Sequence, residues 1–165
     1  MTENKLTDAG SDAGEDSPGV IIFPPLLFAG TLLLGLLLQF FWPLHLSSGI
    51  GMQIAGAILA VASGMIAAWG ARTMRRAGTN VLPARPTLSI VTEGPFRFSR
   101  NPLYLGNVIF YLALALIFNT AWPLFLFVPM LCVVQRGIIR REERYLEAKF
   151  GETYLDYKRR VRRWL

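Results

Sequence analysis

The sequence predicts an all-α integral membrane protein with about four transmembrane helices and a cytoplasmic C-terminal helical segment. The first observation behind this prediction is that the 165-residue chain has no Asp, Glu, Lys or Arg at positions 17–70 or 101–135. Uncharged apolar runs of this length are typical of membrane-embedded helices and not of loops in a soluble domain. The second observation is that all 17 Lys and Arg residues lie at position 5, within 72–100 or within 136–163.

An acidic leader precedes the first apolar segment. Residues 1–18 are rich in Gly, Ser and Asp, a composition that predicts a disordered tail, so we expect residues 19–165 to form a single membrane domain. The leader has no basic n-region and is followed by several apolar segments. A cleaved signal peptide is therefore not predicted.

Four apolar segments are predicted to span the membrane: residues 20–42, 50–71, 103–118 and 121–135. The first is long enough, at 1.5 Å per residue, to cross a hydrocarbon core of about 30 Å. In the second, Gly56, Ala60, Gly64 and Ala68 recur every four residues and predict a smooth face for close helix packing. The last two are short, and Pro129 interrupts the fourth, so a re-entrant hairpin is the alternative to two full crossings.

The basic residues predict the orientation of the chain. Both termini and both basic segments should be cytoplasmic, with the uncharged turns at 43–49 and 119–120 on the other side, most simply in a bacterial inner membrane. The basic residues suit contact with anionic lipid, and we do not expect nucleic-acid binding. Residues 136–165 should form a helix ending near Gly151, followed by a shorter helix or coil. The small-residue face suits packing within one chain or in a dimer, which leaves the oligomeric state open.

Polar residues concentrate at two places beside the apolar segments. One is FRFSRNPLYLG at 96–106, where Pro102 begins a helix whose free N–H groups, next to Arg100, suit an anion. The other is Glu142–Glu143, because a carboxylate on the apolar side of a juxtamembrane helix needs a cation or a donor. The simpler alternatives are arginines that only anchor a helix end and glutamates that pair with neighbours on their own helix.

The order of these motifs resembles two families of integral-membrane methyltransferases, the isoprenylcysteine carboxyl methyltransferases and the phospholipid methyltransferases. The matching text is IVTEGPFRFSRNPLYLG, then an apolar hairpin, then REERYLEAKFGETYLDYKRRV, over roughly the second half of the chain. The resemblance implies an enzyme that uses S-adenosylmethionine and methylates a lipophilic or lipid-anchored acceptor, either an isoprenylcysteine-like carboxylate or a lipid headgroup. A non-enzymatic lipid-binding or assembly protein on the same fold is the alternative.

The resemblance also implies a cofactor pocket at the cytoplasmic end of the bundle. The residues that it assigns to cofactor binding are Arg100, Asn101, Pro102, Tyr104, Gly106, Asn107, Glu142, Glu143, Tyr154 and Tyr157. Of these, Arg100, Glu142 and Glu143 are the predicted catalytic residues, and no metal site is predicted. Methyl transfer is an in-line displacement at an activated carbon, so it chiefly requires positioning and the exclusion of water.

Specific roles follow for these side chains if the resemblance holds. Arg100 and Asn101 could bind the carboxylate of the cofactor, and either glutamate its ammonium or ribose hydroxyls. The tyrosines could pack against the adenine or face the sulfonium, and Gly106 would allow a close approach of the backbone. The carboxyl methyltransferases commonly have His where this chain has Asn101. Since Asn cannot titrate near neutral pH, an acid–base role is excluded at that position.

Overall fold

The computed structural model describes residues 19, 22–47, 49–82 and 85–165, and this part of the chain is helical with no strand. The predicted disordered tail at 1–18 lies outside the described residues. The helices are α1 (Pro24–Phe41), α2 (Gly51–Arg76), α3 (Pro102–Ile117), α4 (Trp122–Val133), a π-helical segment (Val134–Ile139), α5 (Arg140–Phe150) and α6 (Glu152–Arg160). A short 3₁₀ turn, Gly94–Arg97, precedes α3.

Among the described residues, three helical stretches are long and apolar enough to cross a membrane, judged by length and composition. They are α1, α2 and the continuous helix Trp122–Phe150, whereas α3 is a shorter apolar helix of 16 residues. The predicted all-α membrane fold is confirmed. The predicted fourth span and the predicted C-terminal helix are one continuous helix, with the π-helical segment where its uncharged part gives way to its charged part. As expected, this helix ends at Gly151, which has a φ of +52° that favours glycine.

The helices pack in two pairs, α2 against α3 and α1 against α4. Gly56 is essential to the first pair, since a Cβ there would lie 2.7 Å from the carbonyl oxygen of Ala113. Within the chain the predicted face packs at Gly56 but not at Gly64, which is exposed and has open space around it. A four-residue step rotates about 40° around a helix, so the face that contacts α3 continues at Ser63 and Gly70 instead.

The two uncharged turns meet at one end of the bundle, as predicted. The Asn119 side chain accepts hydrogen bonds from the backbone N–H groups of Leu46 (3.2 Å) and Ser47 (3.0 Å) and donates to the Ser47 carbonyl (2.7 Å). Asn119 has a φ of +49°, a conformation that Asn tolerates better than most residues. The turn between α3 and α4 therefore locks the turn between α1 and α2.

The basic segments meet at the opposite end, where the last residues fold back over the start of α3. We call residues 161–165 the C-terminal strap. The backbone N–H of Arg100 donates to the Arg162 carbonyl (2.9 Å), the Asn101 side-chain amide donates to the Arg163 carbonyl (3.0 Å), and the Trp164 indole donates to Gln135 (3.1 Å). The strap thus ties the start of α3 to the end of the uncharged part of the long helix.

Candidate active site

A cavity of about 300 Å³ lies at the basic end of the bundle, within the range of about 300–1,000 Å³ that is usual for small-molecule sites. Its walls come from the starts of α1 and α3, the end of α2, residues 80–82 and 87–91 of the connection that follows α2, and helices α5 and α6. Nine of the ten predicted site residues line it: Arg100, Asn101, Pro102, Tyr104, Asn107, Glu142, Glu143, Tyr154 and Tyr157. The two sequence motifs, about 40 residues apart, therefore meet at one cavity.

Gly106 is the predicted site residue that does not line the cavity. It is buried against α2, where a Cβ would lie 3.4 Å from the Ser63 carbonyl oxygen and 3.5 Å from the Ala67 Cβ. Its small size serves the packing of α3 on α2. The Gly106 backbone therefore lies against α2 and not, as expected, at the cofactor cavity.

Glu142 is the carboxylate that faces the cavity with the fewest competing contacts. The Tyr104 hydroxyl donates a hydrogen bond of 2.6 Å to its Oε1. Glu142 lies on the charged continuation of the long helix, outside the apolar segment, but it is largely enclosed by the cavity wall. Burial raises the pKa of Glu142 to about 7, although the hydrogen bond from Tyr104 favours the carboxylate form.

Glu143 is instead the centre of a buried ion-pair network. Arg163 donates to its two carboxylate oxygens, from Nε at 2.8 Å and from Nη2 at 2.6 Å, and Arg100 Nη1 lies 3.2 Å from its Oε1. The Glu143 side chain is 7% exposed, so these cations replace water as its partners. Adjacent helical residues point about 100° apart, which is why the two glutamates have such different surroundings.

Arg100 keeps unused hydrogen-bonding capacity inside the cavity. Its side chain is 7% exposed, yet within the described part of the chain neither Nε nor Nη1 makes a hydrogen bond of acceptable geometry. An orphaned buried donor is costly unless a ligand or water completes it. A buried guanidinium whose Nε has no partner and whose Nη1 has only the 3.2 Å ion pair with Glu143 fits the carboxylate of a bound molecule.

Comparison with known proteins bears directly on this arrangement. The sequence profile described as phospholipid methyltransferase matches residues 52–153, which is more than half of the chain. The chain belongs to the phospholipid methyltransferase family. The family suspected from the motifs is confirmed, and membership indicates a membrane methyltransferase. The match runs from the second residue of α2 into α6, so α1 and the C-terminal strap lie outside it.

One curated relative and the solved structures complete the comparison. An uncharacterized protein of Haemophilus influenzae is 44% identical over 63 residues, which cover 33% of this chain and 98% of that protein. No solved structure matches. The cavity described here therefore supplies geometry for a family member that sequence comparison alone cannot provide.

Asn101 holds the C-terminal strap in place. Its side-chain amide donates to the Arg163 carbonyl at 3.0 Å, and its backbone N–H donates to the Ser99 hydroxyl at 3.1 Å. Asn101 is buried at the cavity wall. Its amide group thus helps to place Arg163 against Glu143.

The two tyrosines of α6 form an aromatic wall of the cavity. The Tyr154 and Tyr157 rings meet edge to face with centroids 6.1 Å apart, and the Tyr157 hydroxyl donates to the Phe96 carbonyl at 2.8 Å. Burial, with the nearby Glu143 carboxylate, raises the pKa of Tyr154 to about 12, so its hydroxyl stays neutral. The wall suits a flat or cationic ligand group.

Sequence reasoning missed Arg163 and the connection at 79–91. Arg163 is one of five basic residues in the last eight positions, and nothing in the sequence marks it as the partner of Glu143. In the connection, the Thr79 hydroxyl accepts a hydrogen bond from the Leu88 N–H (2.9 Å), and Asn80 donates to the Pro86 carbonyl (2.8 Å). The prolines and the short polar side chains predict a turn there, but not its place over the cavity.

Proposed function

We propose that this membrane methyltransferase takes its methyl group from S-adenosylmethionine bound in the cavity and transfers it to a lipophilic acceptor from the bilayer. The observation that carries the proposal is that Arg100, whose Nε has no partner, and Glu142, which has few partners, both lie in the walls of one cavity. The cofactor supplies a methyl group activated by a positive sulfur, and it carries a carboxylate and an ammonium. Opposite charges in the cavity match those two groups.

The side chains divide the binding of the cofactor between them. Arg100 receives the carboxylate, and Glu142 receives the ammonium or the ribose hydroxyls. Tyr154 and Tyr157 pack on the adenine or on the sulfonium face. Glu143 contacts Arg100 and Arg163 rather than standing free, so its role is to hold the Arg100 guanidinium in position.

Catalysis by this chain consists mainly of orientation and exclusion of water. The cavity wall is largely apolar, α6 contributes Tyr154 and Tyr157 to it, and the C-terminal strap holds the lining residue Asn101. The apolar lining strengthens the contacts of Arg100 and Glu142 with a bound ligand, because it lowers the local dielectric constant. The orientation of donor and acceptor within the cavity then lowers the barrier to transfer.

The acceptor reaches this cavity from the side of the bundle. Apolar residues at the start of α1 (Phe23, Pro24, Pro25), from α2 (Ala67) and from α3 (Leu103) line one part of its wall. Since α1 packs on α4 while α2 packs on α3, an acyl chain can lie in the cleft between the two pairs.

Glu142 favours an amine headgroup among the lipophilic acceptors. A carboxylate acceptor next to Glu142 would be repelled by it, whereas an ammonium would be attracted.

Transfer of a labelled methyl group tests this function. Purified protein in vesicles of phosphatidylethanolamine with an added isoprenylcysteine analogue is incubated with methyl-labelled S-adenosylmethionine. We expect base-stable label in the phospholipid, loss of transfer in Glu142→Gln, and retention of transfer in Arg97→Ala, whose side chain is exposed near the same motif. Base-labile label in the analogue would move the acceptor to a carboxylate, and no label in any fraction would favour the non-enzymatic alternative.

A further inference from the structure

A second, open cleft lies on another side of α5 and is strongly basic. Five cationic side chains and two carboxylates line it: Arg136, Arg140, Arg144, Lys158, Arg163, Glu143 and Glu147. It shares only Glu143 with the first cavity. The methyl-transfer proposal gives no role to this cleft.

The charges in this basic cleft do not balance. Both carboxylates are already paired with cations of the C-terminal region, Glu147 with Lys158 at 2.5 Å and Glu143 with Arg163 at 2.6 Å. In the part of the chain that the structure describes, no carboxylate pairs with Arg136, Arg140 or Arg144. Three guanidinium groups therefore line one opening with their charge uncompensated, which favours an anion there.

These three arginines form a ladder along one side of the long helix. Arg136 lies in the π-helical segment, Arg140 and Arg144 lie on α5, and all three line the cleft, with successive residues about 6 Å apart along the axis. Arg136 is the first charged residue after the uncharged stretch at 101–135, so the ladder begins where the apolar surface of the helix ends. Its length of about 12 Å exceeds the depth of one headgroup layer, about 5–8 Å.

An exposed apolar strip leads into the ladder from the membrane side. Val128 is 64% exposed, Val133 is 43% exposed and Cys132 is exposed as well, and these residues lie shortly before Arg136 on the same helix. An apolar strip that continues into unpaired guanidinium groups matches an amphiphile with an acyl chain and an anionic headgroup. A soluble anion or a nucleic acid would have no use for the strip.

We propose that the basic cleft binds an anionic phospholipid, with its phosphate among Arg136, Arg140 and Arg144 and its acyl chain along Val128 and Cys132. Basic pockets at the cytoplasmic ends of membrane helices are suited to such headgroups. The cleft adjoins Glu143 and Arg163, so the bound lipid sits against the ion pair that positions Arg100. The lipid is a bound partner and not the methyl acceptor.

Binding of short-chain lipids to the detergent-solubilised full chain tests the proposal. Native mass spectrometry or calorimetry is carried out with dioctanoyl phosphatidylglycerol, which has neither an amine nor a carboxylate, with dioctanoyl phosphatidylcholine and with inorganic phosphate. We expect phosphatidylglycerol to bind most tightly, with an affinity that falls as salt is raised. Replacing two arginines, Arg140→Gln with Arg144→Gln, should weaken it about thirtyfold.

A matched double variant separates a site from general surface charge. Arg75→Gln with Arg76→Gln removes the same charge from exposed residues at the end of α2, outside the cleft, and should leave phosphatidylglycerol affinity unchanged. Equal weakening in both double variants, or equal affinity for the two lipids, would overturn the proposal. Inorganic phosphate that binds as tightly as phosphatidylglycerol would show an anion site that does not select lipid. Thermal unfolding of each variant checks that the fold is intact.

Discussion

Replacing Glu143 by Gln should strongly destabilise the fold, although the side chain keeps nearly the same shape. The native carboxylate accepts two hydrogen bonds from Arg163 and lies 3.2 Å from Arg100, with 7% of its side chain exposed. Gln retains the volume but loses the charge. The Arg100 guanidinium, which is equally buried, then has no anion beside it.

The size of the effect follows from the burial of the three side chains. Breaking a buried ion pair from one side costs about 3–5 kcal/mol. The Arg163 side chain is 29% exposed, so water can solvate its guanidinium once the anion is lost. We therefore expect a cost at the lower end of this range, about 3 kcal/mol. For a chain of this size, that corresponds to a fall in the unfolding temperature of about 6–12 °C.

Thermal unfolding in a mild detergent measures this change, and Glu147→Gln is the matched control. Glu147 lies one turn further along α5 and pairs with Lys158, but the two side chains are 31% and 35% exposed. Such a pair contributes at most about 1 kcal/mol, so its loss should lower the unfolding temperature by no more than about 4 °C. If both variants unfold at the same temperature, Glu143 is not the centre of a buried network.

Three further predictions concern Glu142, Tyr104 and Gly56. The pKa of Glu142 is raised to about 7, so the fold should lose stability as pH rises from about 4.5 to about 7. Over the same pH range the affinity for the cofactor should increase, because Glu142 becomes charged. Glu142→Gln should remove the first trend in unfolding assays and the second in calorimetric titrations. Tyr104→Phe removes the hydrogen bond that favours the carboxylate, so the midpoint of the affinity profile should move to higher pH. Gly56→Ala should lower stability by about 1–3 kcal/mol in unfolding assays, because its Cβ would overlap the Ala113 carbonyl, and Gly64→Ala should not.

Much of the fold could be predicted from the sequence because charge segregation controls it. The uncharged stretches predict the helices, and the turn residues predict the hairpin at Asn119. Beyond Gly56, the small-residue repeat does not follow the face of α2 that packs on α3. A repeat of four residues drifts around a helix with 3.6 residues per turn. The sequence prediction also ends a helix at Gln135, whereas the helix continues through it. A change from apolar to charged sequence does not by itself end a helix.

The cavity residues were predictable where they lie in two short motifs, and their separate functions were not. Glu142 and Glu143 are adjacent in sequence, so only the rotation of the helix decides which of them faces the cavity and which faces Arg163. The motif predicts Gly106 at the cavity, but it lies against α2, because membership of a motif does not reveal which way a residue faces. Arg163 was missed because its contact requires the strap to fold back over α3.

Calorimetric titration of the detergent-solubilised protein with S-adenosylmethionine tests the central claim, that the cavity is a cofactor site, most directly. The account predicts saturable binding of one molecule per chain, weakened strongly by Glu142→Gln, which leaves the ion pairs of Glu143 in place. Arg97→Ala should bind like the unaltered protein, because Arg97 is exposed and does not line the cavity. Absence of binding at millimolar cofactor, or equal affinity in Glu142→Gln, would contradict the account.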